Sequence, residues 1–315
     1  MNKKIIKFGC IMMLVFSLTG CTKYINNDKK QVIKNEENGQ NVVKNILCRP
    51  NDKKLLSIYE DYNKKAKKSE KVNIKELPEC EKLKVVSGKY EGIWTTVFVK
   101  PLAWFIIKIG NLVKNYGLGL IIATILIRLV VYPFTKKAAL QSEMLKKAKP
   151  ELDKLEKKYK NKTDQESMMK KSQEMLMIYK KYNINPMSGC LFSLIQLPLF
   201  FAFYEAISRI PALFEENFLG FQLGTSPAIA VFSQGKYYYL IFIVLIFLAT
   251  YFSFKLNSGA AMSPEQEKSM KTMSNFMVIF MTFVSFSISS GIAIYWITSN
   301  VFTIVQNLIV KKERK

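Results

Sequence analysis

Gly117 to Phe134, GLGLIIATILIRLVVYPF, constrains this chain more than any other stretch. Eighteen residues at about 1.5 Å of rise each make a helix long enough to cross a bilayer core. Arg128 is the only basic residue within it. An arginine at mid-membrane costs about 2.5–3.5 kcal/mol on insertion scales, so Arg128 must face water, a partner or the interface. No other hydrophobic stretch offers it an obvious counter-ion. A positive charge is therefore held in the membrane for something other than the chain's own acids.

The mean hydropathy of +0.06 hides this, because it averages lysine-rich segments with nearly charge-free ones. Separated, these are the two halves of a membrane protein. A net charge of +23 would suggest nucleic acid in a soluble protein. Here the basic blocks flank hydrophobic spans, so anionic lipid and topology explain them, with no direct nucleic-acid contact. The chain has no histidine, which removes imidazole acid–base chemistry and most zinc sites.

Residues 1–20 have the positive start, apolar run and small-residue ending of a signal peptide. Leu18-Thr19-Gly20-Cys21 closes it in the manner of a bacterial lipobox, implying cleavage before Cys21 and lipid on its thiol; an ordinary signal anchor is the plainer reading. Residues 21–91 form a lipid-anchored, lysine-rich extracytoplasmic segment, either a tether or a small, weakly packed helical module. Cys48 and Cys80 both fall in it, as a disulfide or as two free thiols. The apolar run in residues 92–116 is interrupted by Lys100, Pro101, Lys108 and Lys114 and carries Trp94, Phe98, Trp104 and Phe105, which predicts an amphipathic helix on the outer surface, with a broken extra span as the alternative.

Five spans are expected, at about 117–134, 187–207, 237–254, 272–288 and 291–310. Between the first two, residues 135–183 hold 14 Lys and Arg against 7 acidic residues. Leu145, Ala148, Leu152, Leu155 and Tyr159 share one helical face, and Met168, Ser172, Met175, Tyr179 and Tyr182 another. This predicts a cytoplasmic helical hairpin, kinked near Pro150, with a capping box at Thr163 and Glu166. The basic tail 311–315 belongs in the cytoplasm and the amino end outside. The fold class is thus all-α and polytopic.

Thr124 and Arg128 share a face of the first span. Gln196 puts a polar point at mid-depth in the second. Trp296, Asn300, Thr303 and Asn307 form a polar stripe on the last, with Gln306 adjoining. Three polar faces suggest a hydrated groove centred on Arg128. Each piece has a plainer reading: Arg128 could snorkel to the interface, and amides and hydroxyls often only join helices, at about 0.6 kcal/mol per contact.

Three segments, ATILIRLVVYPFTKKAALQSEM, NINPMSGCLFSLIQLPLFFAFYEAI and SSGIAIYWITSNVFTIVQNLIVKK, carry a resemblance. Over Leu102 to Lys312 the chain resembles the YidC family of membrane protein insertases, relatives of the Oxa and Alb proteins. The lipobox resembles the Gram-positive-type lipoprotein members, and the large extracytoplasmic domain of Gram-negative members is missing. The resemblance implies a five-helix core with a groove open to cytoplasm and lipid. Arg128, Thr124, Gln196, Trp296 and Asn300 would line that groove. It implies a monomer that inserts and helps fold newly made inner membrane proteins in the cell membrane, without cofactor or metal and without enzymatic chemistry. Its partners would be nascent membrane proteins, the bilayer, the Sec translocon and the ribosome. The alternative is a small transporter or channel for an anionic solute.

Overall fold

A computed structural model describes residues 22–27, 30–185, 188–257 and 264–313, with backbone alone at 188–195, 257 and 264–270. The signal peptide and Cys21 lie outside the described residues. The described chain is predominantly helical and divides into two compact units. Ten α-helices are described: α1 (Lys53–Lys65), α2 (Lys100–Val113), α3 (Tyr116–Tyr159), α4 (Gln165–Lys181), α5 (Ser188–Ser208), α6 (Pro211–Glu215), α7 (Pro227–Phe232), α8 (Leu240–Asn257), α9 (Pro264–Val284) and α10 (Ser290–Glu313). A two-residue antiparallel ribbon, β1 (Asn217–Phe218) with β2 (Phe221–Gln222), is the one sheet among the described residues.

The first unit holds residues up to Thr124, Pro198–Phe242 and Phe286–Tyr295. Its N-terminal segment folds. Scattered apolar residues (Ile25, Val42, Val43, Ile46, Tyr59 and Val72) gather into one buried cluster, and α1 supplies Tyr59. The Tyr59 hydroxyl donates to the Val43 carbonyl at 2.6 Å, and burial pushes its phenol pKa well up. Asp52 caps α1 by accepting from the Lys54 and Leu55 amides. Long apolar runs are missing from this segment because its core is assembled from single residues on irregular chain. Periodicity cannot reveal such a core, so the expectation of a tether or weakly packed helical module understated its order.

Cys48 and Cys80 form a disulfide across a sequence separation of 32. Closing a loop of that size restrains the unfolded chain by about 3–4 kcal/mol on the chain-entropy account. We expect a maleimide to label both positions only after reductant; labelling of both without reductant would exclude the bridge.

In the same unit, a π-turn at Thr95–Val99 leads into α2, and together they make a 19-residue apolar helix, Thr95–Val113. The expected helix is present, with Lys100 and Lys108 inside it. Lys100 is buried and its ammonium donates to the Lys89 carbonyl at 3.0 Å, while Lys108 is exposed. Trp94, expected at the lipid interface, is buried instead. A left-handed residue, Lys114 (φ 55°), ends α2, and the Asn115 side chain caps α3 by accepting from the Leu118 amide. The two helices then meet at glycines: a Cβ on Gly119 would lie 2.5 Å from the Gly110 Cα.

The second unit holds Ile125–Leu197, Ile243–Ser285 and Trp296–Lys315. Here α3 continues through Pro133 and Pro150 to Tyr159, without a break at Pro150. Pro150 removes one backbone hydrogen bond, but Leu145, Ala148 and Leu152 on either side are locked by packing against Tyr179 and Ile184. Ion pairs Glu151–Lys181, Glu156–Lys171 and Glu174–Lys158 show α4 running antiparallel to this end of α3. Most are exposed and set register more than stability. The Tyr179 phenol, buried at this contact, is pushed up to about 12. The helix start also differs from expectation. Asp164, not Thr163, caps α4, accepting from the Ser167 amide at 2.8 Å, and that bond holds its carboxyl below the usual range. An aspartate is simply the better acceptor one residue further on. The Lys146 ammonium donates to the Leu256 carbonyl at 2.7 Å, near the end of α8.

Four helical stretches among the described residues are long and apolar enough to cross a membrane: Thr95–Val113, Tyr116–Tyr159, Tyr237–Leu256 and Ser290–Glu313. The apolar part of α9, Lys271–Val284, is shorter. It ends four residues before the expected 288, where the Ser285 hydroxyl turns back to the Thr282 carbonyl.

Candidate functional site

Arg128 is buried at 3 % exposure, and its guanidinium donates to the Ser299 hydroxyl of α10. Seven residues on, the Thr135 hydroxyl donates to the Gln306 side-chain oxygen at 2.9 Å. Both pairs are separated by 171 residues in sequence, so the partners advance together and α3 and α10 run parallel here. Seven residues are about two helical turns, which puts both rungs on one face of each helix, about 10 Å apart. A surface ion pair, Lys136–Glu313 at 2.8 Å, continues the contact.

The stripe on α10 is buried throughout: Trp296, Ser299, Asn300, Thr303, Gln306 and Asn307 are all below 9 % exposure. The Trp296 indole donates to the Thr250 hydroxyl of α8 at 2.9 Å. The Asn300 amide bonds back to the Trp296 carbonyl, and Thr303 to the Ser299 carbonyl, as hydroxyls and amides do in helices where water is scarce. Thr124 is fully buried and donates to the Leu120 carbonyl of its own helix. Gln196, on α5, is half-buried. Within this unit, then, Arg128 and the α10 stripe come together and Trp296 engages α8.

Ser299 and Thr250 were missed by sequence reasoning. Ser299 could have been found, since it lies three residues after Trp296 and four before Thr303. Thr250 also had a signal, since Ser253, three residues on, is a second buried hydroxyl on the same face of α8.

The first unit holds a second charged cluster, with an acid inside a hydrophobic stretch. Glu205 lies inside the hydrophobic stretch 187–207, four residues before Arg209. Arg209 is fully buried and every guanidinium nitrogen is engaged. Nη1 donates to Glu205 at 2.9 Å, Nη2 to both Glu91 oxygens at 2.7 and 2.8 Å, and Nε to the Asn45 carbonyl at 2.6 Å. The Trp94 indole donates to the other Glu205 oxygen at 3.0 Å. Removing one member of such a buried set leaves an uncompensated charge, at about 3–5 kcal/mol. The i, i+4 spacing of Glu205 and Arg209 was the available signal. No group of acids and cysteines among the described residues could hold a metal ion.

Long apolar helices, with an arginine buried on a polar rung between two of them, define a helical membrane protein of the multi-pass kind. The chain belongs to the 60Kd inner membrane protein family, whose model matches residues 108–315. It is 32% identical over 228 residues to the membrane protein insertase YidC of Oceanobacillus iheyensis, covering 72% of this chain and 87% of that one. It is 36% identical over 233 residues to the membrane protein insertase YidC 2 of Listeria monocytogenes serotype 4b, covering 72% and 80%. It is also similar to a solved structure described as an active YidC insertase with its first transmembrane domain resolved. There the identity is 22%, the TM-score 0.43, and the coverage 81% of this chain and 53% of that one, so the chain spans about half of that protein's length.

Proposed function

We propose that this chain is a bacterial membrane protein insertase and chaperone that receives a client's polar tail beside Arg128. The observation that carries the reading is the buried guanidinium held by Ser299 on the α3–α10 rungs. Family membership supplies the class of activity, which is insertion rather than catalysis.

On this reading five spans, about 117–134, 187–207, 237–254, 272–288 and 291–310, surround a hydrated groove. Arg128, Trp296 and Asn300 line it, with Thr124 one turn along the arginine helix and Gln196 on the second span. Residues 22–90 and 208–236 lie outside, and the 135–183 hairpin and the basic tail lie in the cytoplasm, where the hairpin receives clients. The parallel course of α3 and α10 supports this, since the first and last of five spans must cross in the same direction. Cys21 carries the lipid. The Sec translocon and ribosome are accessory partners.

A carboxylate on an exported tail pairs with Arg128 in a low-dielectric site, where attraction exceeds that in water. This lowers the cost of carrying the polar tail to mid-membrane. The client's apolar helix meanwhile moves into lipid, and apolar burial drives the step. Release follows because water outside solvates the tail better than the groove does.

A photo-crosslinking residue replacing Gln196 should capture a stalled nascent chain carrying a single span. A crosslinker in place of Lys23, outside on this reading, should not capture a chain stalled that early. Absence of any adduct at 196, with an anionic solute raising the melting temperature instead, would transfer the site to the transporter reading.

A further inference from the structure

Glu205 and Arg209 lie within the family-matched residues 108–315, whereas Asn45, Glu91 and Trp94 precede them. The Arg209 guanidinium divides its bonds between the two parts of the chain, Glu205 on one side and Glu91 with the Asn45 carbonyl on the other. More contacts follow the same division. The Leu47 amide donates to the Arg209 carbonyl at 2.9 Å. The Asn51 and Asp52 amides donate to one Glu215 oxygen at 2.9 and 3.0 Å. The Gln234 amide reaches the Glu37 carbonyl at 2.6 Å. Gly39, in the left-handed region at φ +68°, sits so close to Ile229 that a Cβ would lie 2.2 Å from its Cγ1.

Alone, the segment has little to fold with. Its cluster of buried residues is Ile25, Val42, Val43, Ile46, Tyr59 and Val72. A domain of about 70 residues with so small a core needs a staple or a partner surface. It has both. The disulfide joins Cys48, adjacent to the docking residue Leu47, to Cys80, and the loop between them contains Asn51, Asp52 and Tyr59. The 208–236 loop supplies the partner surface.

We propose that residues 22–90 are an accessory module that folds by docking on the 208–236 loop, with Arg209 as the joint and the Cys48–Cys80 bridge as a latch. The docked occupant is the chain's own N-terminal segment, and nothing here depends on the arginine-groove reading. Arg209 is a positioning residue: it orders Glu91 and Asn45, and through them the module. A dithiol reagent opens the latch by giving two electrons and two protons to the bridge; the S–S bond breaks, two thiols form and the reagent becomes a disulfide. Residues 48–80 are then held by the Glu215 contacts, by the Tyr59–Val43 bond and by their share of the buried cluster, without the covalent closure.

The test is chymotrypsin cleavage of the purified full-length chain in detergent micelles, with and without dithiothreitol. The sites Tyr59 and Leu83 are buried in the folded module. We expect Arg209→Met to speed cleavage at Tyr59 and Leu83 about tenfold, and reduction to speed it further. Arg209→Lys should recover part of the protection, because the charge remains while the forked geometry is lost. Glu91→Gln, outside the family-matched region, should speed the same cleavage a few-fold. Rates within twofold of the parent chain in both redox states, or acceleration spread evenly over residues 92–313, would overturn the proposal. If Arg209→Met does not accumulate, Glu91→Gln decides alone, and unchanged cleavage there ends the idea.

Discussion

Replacing Arg128 with alanine should slow insertion of a single-span client with an acidic exported tail about tenfold or more, and leave a twin with a neutral tail nearly untouched. A hydrogen bond to a charged partner contributes about 1.5–3 kcal/mol, and about 1.4 kcal/mol is a tenfold change in rate. Arg128→Lys keeps the charge and should restore part of the rate. It should not restore all of it, because a lysine lacks the planar fork that can grip a carboxylate while still holding Ser299. Loss of folding is not the expected cause. Removing an arginine from a span relieves about 2.5–3.5 kcal/mol of insertion cost, and Ser299 can turn its hydroxyl to a backbone carbonyl of its own helix, as Thr303 does. The measurement is pulse-labelled insertion of both clients in cells depending on this chain, with the amount of each variant in the membrane as control. Equal insertion of both clients by the alanine variant would make Arg128 a snorkelling or structural residue.

What the sequence discloses here follows from how each feature is built. Long apolar runs and basic blocks are properties of contiguous residues, so the helical membrane class was legible from composition segment by segment. Arg128 stood out because charge is rare in such a run, and the α10 stripe because it repeats at helical spacing. Its partner Ser299 sits on that same face but is a small hydroxyl, which gave it no prominence beside a tryptophan and two asparagines. The module at 22–90 was illegible for the opposite reason. Its core joins residues as distant as Ile25 and Val72 through irregular chain, and no local period marks them. Lys100 breaks the apolar run in sequence, but its ammonium donates to the Lys89 carbonyl, a partner that no local pattern discloses. Glu205 was hidden by its surroundings, one acid near the end of a 21-residue apolar helix. It became visible only when Arg209 and Trp94 closed on it.

Backbone packed directly on backbone in the first unit makes the second large prediction. The added Cβ of Gly119→Ala would meet the Gly110 Cα at 2.5 Å, the Gly110 nitrogen at 2.6 Å and the Ile109 carbonyl carbon at 3.3 Å. Every one of those atoms is backbone, so no side-chain rotation relieves the contact, and α2 must move away from α3. The connection forbids much movement. Lys114 is already left-handed, and the Asn115 amide is bonded to the Gly110 carbonyl at 3.0 Å. Overpacking of this kind costs about 1–3 kcal/mol, and Gly119→Val should reach or pass the upper end. Gly291→Ala is the matched control. It also starts a helix, its Cβ would meet nothing closer than 3.5 Å, and ordinary helix propensity favours alanine by about 0.5–1 kcal/mol. Thermal unfolding in one detergent should therefore place Gly119→Val lowest, Gly119→Ala below the parent by several degrees, and Gly291→Ala at or above it. Because Gly119 lies on the helix that carries Arg128, the valine variant should lose insertion of acidic and neutral clients alike, unlike Arg128→Ala. A Gly119→Val chain that melts with the parent would mean the two helices approach with slack, and the glycine pair would then set nothing.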